Sequence, residues 1–101
     1  MDKLHSVVMD NIADQELSID TLTQLMCTSK STLYRKVKAN TGANINEYIR
    51  ICKLKKAAEM LTSQKYRINE VAYLTGFSSP SYFTTCFQKQ FKISPSNFVK
   101  N

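Results

Sequence analysis

Ile19–Gly42 reads I-D-T-L-T-Q-L-M-C-T-S-K-S-T-L-Y-R-K-V-K-A-N-T-G, and Ile68–Lys92 reads I-N-E-V-A-Y-L-T-G-F-S-S-P-S-Y-F-T-T-C-F-Q-K-Q-F-K. Each stretch opens with a short apolar-periodic run and passes through a small turn. That turn is Cys27-Thr28-Ser29 in the first copy and Gly76-Phe77-Ser78-Ser79 in the second. Each stretch then continues as a longer run with apolar residues three and four apart. The pattern predicts two helices joined tightly in each copy, the shape of a helix-turn-helix. In degraded form the repeat covers Ile19–Tyr48 and Ile68–Phe98.

Working outward, Leu4, Val7, Val8 and Ile12 predict a first helix over about Asp2–Ala13. Ser18 is placed to cap the second helix, with Asp20 in its first turn and Ile19, Leu22, Leu25 and Met26 facing inward. Ser29 caps the third, which runs over Lys30–Thr41 and stops at Gly42. The longest helix is expected over Asn44–Leu61, with Ile45, Tyr48, Ile49, Cys52, Ala57 and Leu61 as its apolar stripe and Lys53, Lys55, Lys56 and Glu59 outward. The fifth spans Ile68–Thr75. Pro80 opens a sixth that reaches Phe91, and Ser94-Pro95 opens a short last one. The fold class is therefore all-α, with about seven helices: two helix-turn-helix subdomains, 1–43 and 63–101, joined by a linker helix over 44–62.

Composition agrees. The 101 residues suit one domain with one core. Two glycines and two prolines leave little room for β-turns. No apolar run approaches the roughly 20 residues of a membrane span, and Met1-Asp2-Lys3-Leu4-His5 lacks the apolar segment of a signal peptide. The net charge of +6 is unevenly spread. Residues 1–28 hold five carboxylates against one lysine, 29–67 hold ten Lys or Arg against two Glu, and 68–101 hold three Lys against one Glu. A polyanion would meet the middle and end of the chain.

Cys27, Cys52 and Cys86 are widely separated and His5 is the only histidine, so no metal-ligand spacing exists. Reduced thiols and a cytoplasmic location are expected, with Cys86 and Cys52 as small buried hydrophobes. The chain lacks a phosphate loop and a nucleophile–His–carboxylate set, which argues against an enzyme and against a cofactor.

On a helical wheel of the Lys30–Thr41 helix, Leu33 and Val37 fall within about 40° of each other and face the core. Tyr34, Lys38, Ser31 and Arg35 cluster opposite, at about 100–200°. An arginine flanked by hydrogen-bonding side chains on an exposed helix suits reading a major groove, because Arg bonds a guanine edge in bidentate fashion. The Pro80–Phe91 helix repeats the layout. Phe83, Phe87 and Phe91 make a core stripe with Cys86 beside it, while Ser81, Thr84, Thr85 and Gln88 face out. The 18 residues of Asn44–Leu61 span about 27 Å. Readers in successive major-groove turns sit about 34 Å apart. One monomer is thus expected to read two adjacent groove segments of a non-palindromic site, bending the DNA towards itself.

Three stretches carry a resemblance. They are Y-I-R-I-C-K-L-K-K-A-A-E-M-L-T (Tyr48–Thr62), I-N-E-V-A-Y-L-T-G-F-S-S-P-S-Y-F-T-T-C-F-Q-K-Q-F (Ile68–Phe91) and I-S-P-S-N-F (Ile93–Phe98). Over about Leu17–Val99 the chain resembles the C-terminal DNA-binding domain of the AraC/XylS family of bacterial transcription regulators. The resemblance implies sequence-specific double-stranded DNA binding for transcription regulation, with activation the expected outcome. It places base-edge contacts on Ser31, Tyr34 and Arg35, with Lys30 and Lys38 near phosphates. In the second unit it places them on Pro80, Ser81, Thr84 and Thr85. It also implies a regulatory or sensor domain in a longer parent chain, a hybrid two-component sensor being one such architecture, and RNA polymerase as a further candidate partner. No membrane contact by this domain is implied.

The chain departs from the pattern at four places. Thr85 stands where arginine is frequent, which predicts a weaker second reader, and Lys53 stands where arginine is usual. Cys27 and Lys92 replace the glycines that correspond to Gly76 and Gly42 in the other unit. A positive φ at either would cost about 1 kcal/mol. The alternative function is a protein-interaction module, using the Pro80–Phe91 helix and the acidic N-terminal face against polymerase or a signalling domain.

Overall fold

The computed structural model describes residues 2–14, 17 and 19–100, with the side chains of Asp2 and Lys100 outside the description. Among the described residues there are seven α-helices and no strand: α1 (Asp2–Asp10), α2 (Ile19–Met26), α3 (Lys30–Thr41), α4 (Ile45–Ser63), α5 (Ile68–Leu74), α6 (Pro80–Phe91) and α7 (Pro95–Lys100). The expected Ser18 cap lies outside the described residues, whereas Asp20 does occupy the first turn of α2. α1 stops short of Ala13. The Asn11 side-chain amide donates to the Val7 carbonyl at 2.8 Å, and the Asn11 backbone N–H goes three residues back to Val8, which tightens the chain into a turn.

Within the first half, α1 packs on α2 and α4, α2 on α3, and α3 on α4. In the second half, α5 packs on α4 and α6, α6 on α4 and α7, and α7 on α4. The molecule is elongated, 42 × 22 × 22 Å. Instead of the single core expected from length, two apolar clusters form. One holds Leu4, Val8, Leu22, Leu33 and Val37 with Ile45, Ile49 and Cys52. The other holds Val71, Ala72, Phe77, Phe83 and Phe87 with Leu54, Ala57 and Leu61.

α4 serves both clusters with different faces. On a wheel, Ile45, Ile49 and Cys52 lie within about 60° of each other, while Leu54, Ala57 and Leu61 lie about 120–180° round from Ile45. The single stripe read along this helix is therefore two stripes, one per half. Two expectations fail, one outward and one inward. Lys53, placed outward on the wheel, is buried, because it falls between the two faces where the halves meet. Leu25 is 47% exposed, because α2 buries only the Leu22 side of its stripe.

The two halves repeat one another down to their caps. Ser29 accepts the Thr32 N–H and Ser79 accepts the Tyr82 N–H, which starts α3 and α6 at the predicted residues. At the far ends Gly42 (φ 75°) and Lys92 (φ 64°) are both left-handed, and they donate their N–H groups to Lys38 and Gln88 carbonyls at 2.9 and 2.8 Å. Cys27 (φ 53°) matches Gly76 (φ 82°) in the same way. Both replaced glycines thus do hold the conformation that penalises a side chain.

Gly76 marks the junction of the halves. Its carbonyl accepts a 3.0 Å hydrogen bond from the Lys53 ammonium. A Cβ at this position would fall far inside contact distance of the Ile12 carbonyl, at the end of the first-half turn. Burial pushes the Lys53 ammonium below the usual lysine range, and the Asp14 carboxylate opposes that shift.

Candidate nucleic-acid interface

α3 is held by Leu33 and Val37, which are 1% and 0% exposed. Everything on the far side of the helix is open. Ser31, Tyr34, Arg35 and Lys38 are exposed on one face, as the wheel predicts, and Lys30 opens the helix beside them. The Arg35 guanidinium has no carboxylate within 4.0 Å among the described residues. The two flanking lysines do have partners. Lys30 Nζ lies 2.6 Å from Asp20 on α2, and that hydrogen bond and charge raise its pKa above the ordinary value. Lys38 Nζ donates to the Gly42 carbonyl at 2.9 Å, supporting the C-terminus of its own helix. Both pairs are exposed, so water or a phosphate can replace either partner at little cost.

α6 is held more firmly. Phe83 and Phe87 are fully buried, with ring centroids 5.6 Å apart, and Phe87 also meets Phe91 at 4.6 Å and Phe98 at 5.4 Å. The phenylalanine stripe is core, as expected, and so is unavailable for stacking on bases. Ser81, Thr85 and Gln88 are exposed, while Pro80 and Thr84 are half-buried. Thr85 donates its hydroxyl to the Ser81 carbonyl at 3.1 Å, so the oxygen keeps its acceptor capacity for an outside donor.

One cation beside α6 escaped the wheel. Arg50 of α4 lines a groove with Thr85, Tyr82 and Lys89. Arg50 sits at about 140° on the α4 wheel, on the strip that Leu54 and Leu61 bury under the second half. A reading of α6 alone has no means of finding it. The strip became visible only with the packing of α4.

A family model described as a helix-turn-helix domain matches residues 22–101. A histidine kinase, P4, of Formosa agariphila is 38% identical over 96 residues, covering 95% of this chain and 7% of the kinase. The transcriptional activator RhaS of Escherichia coli is 33% identical over 86 residues, covering 85% of this chain and 31% of RhaS. The chain thus spans only a small part of these relatives. Among solved structures, the DNA-binding domain of AdpA in complex with a target DNA superposes with a TM-score of 0.86 at 21% identity, covering 97% of this chain and 87% of that one. At that identity the superposition speaks for the fold.

Proposed function

Because this chain belongs to the AraC/XylS family of helix-turn-helix DNA-binding domains, we propose that it regulates transcription by reading a non-palindromic duplex site with α3 and α6 in adjacent major-groove segments. The observation that carries the reading is the repeated build of these two helices. Each is capped by a serine, anchored by two fully or nearly buried residues, and open on the face opposite them. The 19-residue α4 spans about 28 Å between the halves. That is slightly less than a groove repeat of about 34 Å, so bending of the DNA towards the protein accompanies binding.

In this reading Ser31, Tyr34 and Arg35 address base edges from α3, and Lys30 and Lys38 exchange their protein partners for phosphates. Pro80, Ser81, Thr84 and Thr85 face the DNA from α6. The working boundaries are 1–43, 44–62 and 63–101. RhaS is named a transcriptional activator and the other relative a histidine kinase of which this chain covers 7%, which supports an activating output domain within a longer chain, working in the cytoplasm. No described helix is long and apolar enough to cross a membrane. Contact with RNA polymerase is the second reading, favoured by Tyr73 and Leu74 of α5, which are 51% and 45% exposed side by side.

A gel shift with duplexes selected from a random pool tests the first reading. Arg35→Ala should cost about 1–3 kcal/mol on the selected duplex and relax its preference over random sequence. Equal binding of both duplexes by the parent and the variant removes α3 as a reader. Absence of DNA binding at low salt leaves the polymerase or signalling contact as the function.

A further inference from the structure

The outward face of α6 has no cation from Pro80 to Gln88, and its reading position Thr85 is neutral. The fold brings cations to that face from its flank. Arg50 of α4 and Lys89 line one groove of about 250 Å³ with Tyr82, Thr85 and Gln90. Arg50 also lines an adjoining groove of about 210 Å³ with Asn46, Ser78 and Tyr82. Arg50 therefore stands where the linker helix meets α6, in a groove shared with Thr85, the residue expected to face bases.

Neither Arg50 nor Lys89 has a carboxylate within 4.0 Å among the described residues. The acids of α4 are engaged elsewhere. Glu47 accepts from the Asn44 side-chain amide at 3.0 Å, and Glu59 lies 3.6 Å from Lys56. Two uncompensated cations sharing a groove with neutral hydrogen-bonding groups attract an anion. When α6 enters a major groove, the anion that reaches the Thr85 side of the helix is the sugar–phosphate backbone bordering that groove.

We propose that Arg50, with Lys89 opposite, grips a backbone phosphate of duplex DNA beside α6, so that the linker helix supplies the second reader with the charge its own face lacks. This rests on the placement of α6 in DNA described above. Such a contact fixes the register and angle of α6 and carries no sequence information of its own. The stem of Arg50 is carried by the rigid α4, so the contact also ties the position of the second reader to the element that spaces both readers.

The test uses the whole chain, fluorescence anisotropy, a selected duplex and a random duplex, between about 50 and 200 mM salt. Arg50→Gln keeps a polar side chain that can still donate hydrogen bonds, on a shorter stem, and removes the charge. It should weaken both duplexes by the same factor, about tenfold near 0.1 M salt, and reduce the slope of log K against log salt by about one. Arg50→Lys should keep the slope. A scan of neutral methylphosphonate linkages should find one position that weakens the parent and leaves Arg50→Gln unaffected.

An unchanged slope in Arg50→Gln overturns the proposal, and so does a loss confined to the selected duplex, which would make Arg50 a base reader. A parent chain that binds neither duplex overturns instead the DNA reading beneath it. Lys89→Gln, on the exposed side of α6, repeats the slope measurement should Arg50→Gln melt at a lower temperature than the parent.

Discussion

Replacing Gly76 by alanine tests how the two halves are joined. The added methyl faces two separate obstacles. Gly76 has φ 82°, where an L side chain costs about 1–2 kcal/mol. The new Cβ would also lie closer to the Ile12 carbonyl oxygen than the 3.0 Å that real side-chain carbons keep, and 3.1 and 3.2 Å from Nζ and Cε of Lys53. The obstructing oxygen is backbone, so relief means moving the turn after α1 or the turn before α6. Overlap of this kind costs about 1–3 kcal/mol. Displacing the Gly76 carbonyl from the buried Lys53 ammonium costs about 1.5–3 kcal/mol more. Together these reach roughly 3.5–8 kcal/mol, a large part of the roughly 5–15 kcal/mol that holds a domain together. Gly42→Ala is the matched control. Its φ is 75°, and nothing lies within 4 Å of the added carbon. It should lose only the same backbone penalty, about 1–2 kcal/mol, and the gain from a stiffer unfolded chain is common to both variants. Urea denaturation followed by circular dichroism reads the difference, expected to be at least about 2 kcal/mol. Equal losses in the two variants would refute the junction as described.

Lys92→Gly should be about 1 kcal/mol more stable than Lys92→Ala, because only glycine removes the left-handed penalty; thermal melts should separate the two by about 4–8 °C. Cys27→Gly and Cys27→Ala should order the same way. Burial, reinforced by the neighbouring Cys52 thiol, holds the Tyr48 phenol in its neutral form until about pH 12, above its ordinary value of 10.0. The folded state therefore keeps this proton after the unfolded chain has lost it. The stability Tyr48 contributes is complete below pH 10 and drains away between there and about pH 12. Tyr48→Phe should flatten that part of the stability profile and delete the late phenolate step from an ultraviolet titration.

The parts legible in the sequence were those set by near neighbours along the chain. Ser29, Gly42, Ser79 and Pro80 fixed the limits of α3 and α6, because a cap bonds within three or four residues of itself. Leu33, Val37, Phe83 and Phe87 announced the buried faces by spacing alone. The hidden parts depended on a partner that changes along a helix. A wheel assigns one inside to α4, whereas Ile49 and Leu54 face different halves. Lys53 is buried because two such faces meet at its position. Arg50 is beside Thr85 because of how α6 crosses α4. Neither relation has a local signature. The internal repeat located the readers, and the packing of α4 located the charge around them.

The divided allegiance of α4 also governs how the chain comes apart. Ile45, Ile49 and Cys52 complete the first cluster, and Leu54, Ala57 and Leu61 complete the second, all from one continuous helix. Neither half owns its full complement of apolar contacts once that helix melts. Unravelling α4 in either half withdraws a wall from the other, so the halves share a fate despite having separate interiors. Calorimetry should then record one heat-absorption peak, with van't Hoff and calorimetric enthalpies in agreement. Hydrogen exchange should give the central amides of α4 the slowest rates in the chain, because they open only when everything does.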